Sequence, residues 1–306
     1  MLVKDELLDR VVARVREQLA EDQAPQVEEF ARQYYAWITA EDLADRSPID
    51  LYGAAVGHWT FARQRAPDEP KVRVYNPQFD EHGWQSTHTV IEIVTDDMPF
   101  LVDSARMGVN REGYAIHLML HPIMKVRRDD AGRLVEVLEP DSDDEEGVLN
   151  ESVIHLEIDR QTEPEVLNGL HQCITTVLQQ VRAAVEDWPD MRERVREFVS
   201  EIDENRPPVE DEDPVEARAF LEWISDDNFT FLGYREYDLL TEDGEDLLRS
   251  VPGTGLGILR QTDQKPHSLS FAKLPHEVRR LAHSPDILTL TKANSRATVH
   301  RPSYLD

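Results

Sequence analysis

THTVIEIVTDDMPFLVDSARMGVNREGYAIHLMLHP, from Thr87 to Pro122, is the stretch whose reading decides the fold. Val90, Ile91, Ile93 and Val94 make a β-branched run on a short extended segment, which strands prefer. Asp96 and Asp97 are placed to cap a following helix, and Pro99 falls in its first turn, where a missing N–H costs little. Gly113 is placed to end that helix in a left-handed conformation. Tyr114, Ile116, Leu118 and Leu120 then alternate, with Ala115 and Met119 making the other face apolar as well. The stretch predicts strand, acidic turn, short helix, glycine stop and strand.

Upstream, residues 1–66 read as helices. Val3, Leu7, Val11, Val15 and Leu19 form one stripe, and Val27, Phe30, Ala31, Tyr34 and Ile38 a second. Ser47-Pro48 opens a third helix, with Ser47 as cap and Pro48 at the first position. Three short amphipathic helices must pack on each other, on the next domain or on another subunit. Val72 and Val74 mark a brief strand that edges the coming sheet. Downstream, Leu134–Leu138 reads as a hairpin arm, and Ile154, Leu156 and Ile158 alternate with His155 and Glu157 as a half-buried strand. Leu167, Leu170, Ile174, Val177, Leu178 and Val181 line a long helix, which Met191, Val195, Phe198 and Ile202 continue past Pro189.

Strand 88–94, helix 99–111, strand 114–127, strand 152–158 and helix 163–188 give the order β-α-β-β-α, ferredoxin-like but lacking an obvious last strand. The fold class is therefore α+β: a helical segment over 1–66, a ferredoxin-like domain with a long helix over 70–200, and a second antiparallel, sheet-rich module over 214–306. Acidic, proline-bearing residues 201–213 separate the last two. In the second module Phe229, Phe231, Tyr237 and Leu239 lie on one face of a long strand. Extended runs follow near 257–260 and 287–291, with a short helix around 275–281. The pattern is unfinished at Asp306, as expected of a polypeptide that continues.

Sixty-one acidic residues oppose 33 basic ones among 306, a net charge of −28. A field of that sign repels phosphate backbones and anionic membranes, so nucleic acid and lipid are poor partners. Cys173 is the only cysteine, which excludes an internal disulfide and a cysteine-based zinc site. The opening MLVKDELLDR lacks the marks of a secretory signal, and no apolar run reaches membrane-spanning length, so a cytoplasmic protein is expected.

Most motif-like features have plain readings. Gly253, Gly255 and Gly257 do not match a dinucleotide fingerprint and read as a connection between strands. The six carboxylates of residues 139–147 lack the register of a calcium loop and read as a solvated loop. His82, His88, His117 and His121 read as surface or half-buried side chains, with no metal site, and Cys173 as a small buried one.

The motifs VRVYNP (72–77), TDDMPFLVDS (95–104), FLGYREYDL (231–239), VPGTGLGIL (251–259) and LTKANSRATVHRP (290–302) resemble, in that order, the large NAD-specific glutamate dehydrogenases of bacteria. The strand–turn–helix–strand unit itself resembles the opening half of an ACT domain, a ferredoxin-like small-molecule sensor. The resemblance implies an N-terminal regulatory or assembly piece of a longer enzyme. NAD and the catalytic residues would lie outside this segment, and the chain would self-associate as a homo-oligomer through the module's free sheet face and long helix. It also implies an amino-acid effector at the first turn, Asp96, Asp97, Met98, Phe100 and Leu101, with Asn110 and Arg111 contributed by a partner subunit. Helix N–H groups suit the effector's carboxylate and an acidic side chain its ammonium. Phe100 departs from the glycine usual in ligand-binding ACT sequences, and its ring can fill the pocket. The alternatives are a purely structural oligomerisation domain that binds no ligand, and a stand-alone amino-acid sensor.

Overall fold

The computed structural model describes residues 4–43, 46–143, 145–204, 212–242, 245–260, 268–270 and 287–288. By its contacts the chain divides into one unit up to Gln179 and a second from Gln180 onward, so the division falls inside a helix rather than in the acidic stretch 201–213, and the N-terminal helices join the sheet in one unit.

In the first unit, helices α1 (Lys4–Gln18), α2 (Ala24–Tyr34), α3 (Ala40–Leu43) and α4 (Pro48–Ala62) precede strand β1 (Lys71–Tyr75). The amphipathic stripes bury as their spacing predicts, through Leu7, Val11 and Val15 on α1 and Val27, Phe30, Ala31 and Tyr34 on α2. Ser47 caps α4, its Oγ accepting from the Asp50 N–H at 3.1 Å. A one-turn helix α5 (Phe79–His82) leads to β2 (Thr89–Asp96), α6 (Leu101–Arg111), β3 (Ile116–Leu120), β4 (Ile123–Arg128), β5 (Leu134–Val137), β6 (Val148–Ile158) and α7 (Pro164–Glu186). The expected strand 114–127 is two strands. Pro122 cannot donate to a ladder, and the chain breaks there while the Pro122 carbonyl still accepts from Val153.

β6 is the spine of the sheet. β2 pairs antiparallel along one edge of it, while β3 and β4 share the other edge, against residues 155–158 and 148–152 respectively. β5 extends the sheet from β4, and β1 pairs antiparallel with the outer edge of β2. The place a ferredoxin-like sheet gives to its last strand is thus taken by β1, which comes first in the chain. All these pairings are antiparallel, as the α+β reading requires.

Period-two geometry and the register split the sheet into two faces. Ile91 and Ile93 stand opposite Leu156 and Ile154, buried under α6 and α7. Those two helices approach closely at Gly108, where a Cβ would lie 3.4 Å from Val177 and 3.5 Å from Ile174. The other face, with Leu118, Leu120, Met124, Val126 and Val153, joins the stripes of α1, α2 and α4 in one apolar core. That face is thus covered within the chain, while Met119 and Ile123 on the opposite face stay exposed, and β6 is buried from Glu151 to Ile158 rather than half-buried.

The second unit holds α8 (Trp188–Glu204), α9 (Glu212–Trp223) and strands β7 (Gly233–Tyr234), β8 (Tyr237–Glu242), β9 (Glu245–Ser250), β10 (Leu256–Gly257) and β11 (Ser268–Ser270). β8, β9 and β11 make one antiparallel sheet, and β7 and β10 a two-stranded ribbon. The expected long strand from Phe229 is instead β7 and β8, interrupted after Tyr234, and Phe229 is exposed. Gly253 and Gly255 lie in the connection from β9 to β10, as read, while Gly257 belongs to β10 itself, opposite Gly233. Gly257 has φ +60°, and a Cβ there would lie 2.2 Å from the Leu232 carbonyl oxygen. Asp187 fastens this ribbon, accepting from the Gly257 N–H at 2.7 Å and from Arg260 Nε at 2.9 Å. The expected helix around 275–281, most of the run 287–291 and the motif 290–302 lie outside the described residues.

Candidate functional site

The first turn after β2 is built differently from its sequence reading. The helix starts at Leu101, so Pro99 precedes it and neither aspartate caps it. Phe100 is the cap residue instead, at φ +74° with no side-chain cap bond. That left-handed conformation is the one glycine adopts without cost, so the backbone here keeps a glycine-like turn with a phenyl ring on it. Gly113, at φ +88°, does follow the helix end as expected.

The two acidic side chains of the turn are engaged inside the chain. Asp96 Oδ1 accepts from Arg65 Nη2. Asp97 Oδ1 accepts from the Ser152 hydroxyl at 2.5 Å, and the same hydroxyl lies 2.9 Å from His121 Nε2. Leu101 is a core residue, while Met98 and Phe100 are half-buried. Asn110 and Arg111 are exposed at the far end of α6, about 15 Å away along an 11-residue helix. Within one chain the structure does not bring them to the turn.

Behind the turn lies a layer of buried charge on the sheet face beneath α4. Glu151, 1% exposed, accepts from Arg65 Nε and Nη2 at 3.1 and 2.8 Å and from Arg128 Nε and Nη2 at 2.6 and 2.7 Å. Two rows along the sheet, His155 stands opposite Glu92, and Glu157 opposite Val90. Arg73 and the Tyr75 hydroxyl donate to Glu92, and Arg46 donates to Glu157 at 2.5 and 2.8 Å. His58, from α4, is fully buried with Nδ1 3.1 Å from the Tyr34 hydroxyl. Burial pushes the His58 imidazole down to about 4, against the attraction of Glu92. Burial alone pushes the Glu92 carboxyl up, yet the nearby His58, Arg73 and His155 hold it below its ordinary range. Glu157 is likewise held well below, burial being outweighed by bonds from His155 and Arg46. The Tyr34, Tyr35 and Tyr75 hydroxyls are pushed up by the same burial.

A polar cleft of about 1130 Å³ opens beside this layer, with Arg46, Asp50, Ser86, His88, Glu157 and Arg160 among its lining residues. It offers guanidinium groups for an anion and carboxylates for a cation, the pairing a free amino acid carries at its two ends.

Other sequence candidates fall as single side chains. His82, His88 and His121 are half-buried and His117 exposed. His88 and His117 do meet, with ring centroids 4.3 Å apart, and His117 Nε2 lies 2.7 Å from Asp159. Cys173 is half-buried rather than buried, and its thiol is pushed up by that burial. Sequence spacing puts His58 on the buried stripe of its helix, with Leu51, Ala54 and Ala55, but gives it no partner, and sequence reasoning missed Glu92, Glu151 and Arg65. The signal for Glu92 is a charged residue inside the β-branched run of its strand, whereas Arg65, in the connection after α4, carries no periodic signal at all.

Residues 30–174 match the family described as Glutamate dehydrogenase, ACT1 domain. The chain is 40% identical over 302 residues to the NAD-specific glutamate dehydrogenase of Halomonas elongata, covering 98% of this chain and 19% of that protein. The Pseudomonas aeruginosa protein of the same name is 37% identical over 94% of this chain and 18% of its own length. The Mycobacterium tuberculosis protein is 25% identical over 71% of the chain and 13% of its own length. The chain thus spans about one fifth of the length of the first two curated relatives it matches. It belongs to the family of large NAD-specific glutamate dehydrogenases, as a segment whose residues 30–174 carry the ACT1 domain.

Proposed function

We infer that this chain is a regulatory and assembly segment at the N-terminal side of an NAD-specific glutamate dehydrogenase. The parent enzyme interconverts L-glutamate, NAD and water with 2-oxoglutarate, ammonium and NADH, and NAD and the catalytic residues lie outside residues 1–306. The observation that carries this reading is similarity along 98% of the chain to a protein of that name, of which the chain is only 19%. A cytoplasmic setting goes with it. Among the described residues no helix is long and apolar enough to cross a membrane.

In this reading the segment self-associates and responds to a free amino acid. Since α1, α2 and α4 cover one sheet face, the outer surfaces of the helices serve for self-association. The backbone N–H groups at the start of α6 have no side-chain cap and suit a carboxylate. A second reading, a ligand-blind structural module, draws on the engagement of Asp96 by Arg65 and Asp97 by Ser152, which leaves the turn's acids serving the fold.

Thermal unfolding against a panel of free amino acids and NAD, with size followed by light scattering, separates the two. A ligand at a hundred times its Kd adds about 2.7 kcal/mol, and the midpoint rises by about 5–10 °C. A rise with one amino acid that is lost in Asp97→Ala or Asn110→Ala establishes regulation at the turn. A rise lost only in Arg160→Ala moves the effector to the cleft. A stable oligomer with no rise for any ligand leaves assembly alone.

A further inference from the structure

We propose that His58, Glu92 and His155 form a binding site for one divalent transition-metal ion of the zinc class, tying helix α4 to strands β2 and β6. One ligand atom from each of the three lies within 4.8 Å of the others, and all three side chains are buried. His58 Nε2 and His155 Nδ1 are buried without a hydrogen bond of good geometry, the Ile93 backbone being the polar group that also approaches His58. A buried, unpaired ring nitrogen costs free energy unless something takes its lone pair or proton. Two of them facing one carboxylate make a donor set of two imidazoles and one carboxylate, a familiar three-ligand set for zinc.

The surroundings hold the ligands in the way metal sites require. Each histidine is oriented through its other nitrogen: His58 Nδ1 meets the Tyr34 hydroxyl at 3.1 Å, and His155 Nε2 meets Glu157 Oε1 at 3.5 Å. Glu157 is itself clamped by Arg46, so a carboxylate–histidine–metal relay is laid out. Glu92 Oε1, which accepts from the Tyr75 hydroxyl at 3.0 Å, lies 4.0 Å from His155 Nδ1. Ligands on a tetrahedral sphere of 2.0–2.2 Å stand about 3.3–3.6 Å apart, so side-chain movements of about 1 Å close the set. Arg73, whose side chain is about a third exposed, donates to the other oxygen, Glu92 Oε2, and leaves Oε1 to face the ion.

The ion would be structural. It would join a helix to the middle of the sheet through residues 34 and 63 positions apart, and so stabilise the folded chain against an unfolded one that has no such site. The surface pair His88–His117 is the natural competitor for added metal.

The test uses the full 306-residue chain with zinc and with cobalt. After dialysis, about one equivalent of zinc should remain by elemental analysis, zinc should raise the unfolding midpoint by about 5–10 °C, and cobalt should show the visible bands of a four-coordinate ion. His58→Gln and His155→Gln should lose all three signals, and His117→Ala should keep them. Absence of bound metal at saturating zinc overturns the proposal and leaves a metal-free histidine–carboxylate cluster. So does retention of metal by the folded glutamine variants, or its loss in His117→Ala. If the glutamine variants do not fold, X-ray absorption at the zinc edge of the parent chain decides. Two imidazoles and a carboxylate support the site, and any other donor set refutes it.

Discussion

Glu151→Gln is the sharpest probe of how this sheet is held. Glu151 is 1% exposed and sits between Arg65 and Arg128, whose side chains are 2% and 5% exposed. Four of its contacts with them are 3.1 Å or shorter, and Arg65 also donates to Asp96. Two buried guanidinium groups are thus balanced by two carboxylates. Glutamine removes one negative charge and turns an N–H₂ toward groups that are all donors. Breaking a buried pair from one side costs about 3–5 kcal/mol, because the partner charge stays behind uncompensated. With a urea slope of about 2 kcal/mol/M, the unfolding midpoint should fall by about 1.5–2.5 M. Circular dichroism during urea titration measures this, and the effect should change little with added salt, since buried pairs are weakly screened. Replacing the trio together, Arg65→Met, Glu151→Leu and Arg128→Met, should cost far less than Glu151→Gln alone. A loss below about 1 kcal/mol for Glu151→Gln, the range of an exposed pair, would refute the reasoning.

Three further expectations follow from single contacts. Gly53→Ala places a Cβ 2.4 Å from that of the buried Trp84, and the overpacking should cost about 1–3 kcal/mol in the same titration. Ser47→Ala removes the α4 cap bond to Asp50 and should cost about 1 kcal/mol, with Ser47→Asp restoring most of it. Asp187 is held below its ordinary value of 3.8, chiefly by hydrogen bonds from Arg260, with burial opposing and the Gly257 N–H assisting. Its contribution is present above that value and is lost as pH falls through the lowered one. Asp187→Asn should therefore weaken the second unit at pH 7 and flatten the acid limb of its stability profile, which an unchanged acid limb would contradict.

The elements were largely legible because local rules set them. Helical stripes placed α1, α2 and α4, the Ser47-Pro48 pair marked where α4 begins, and Gly113 marked where α6 ends. The β-branched run gave β2, and a proline inside an apolar run explains why one expected strand became β3 and β4. The site was less legible. Asp96 and Asp97 carry the chemistry of helix caps, but long-range partners, Arg65 from before the sheet and Ser152 from β6, claim them instead.

What the sequence determined by itself was the order of the elements, the α+β class and the family resemblance, since each depends on neighbours a few residues apart. What only the tertiary structure decided was which faces of those elements meet water. The alternation of His155 and Glu157 with Ile154, Leu156 and Ile158 is the pattern of a strand with one wet side. Helices α1, α2 and α4 close over that side and bury the polar residues with the apolar ones. Period two tells which residues share a face. What covers that face depends on packing between segments a hundred residues apart, and so does whether a charge there is solvated, paired or free to take a metal ion.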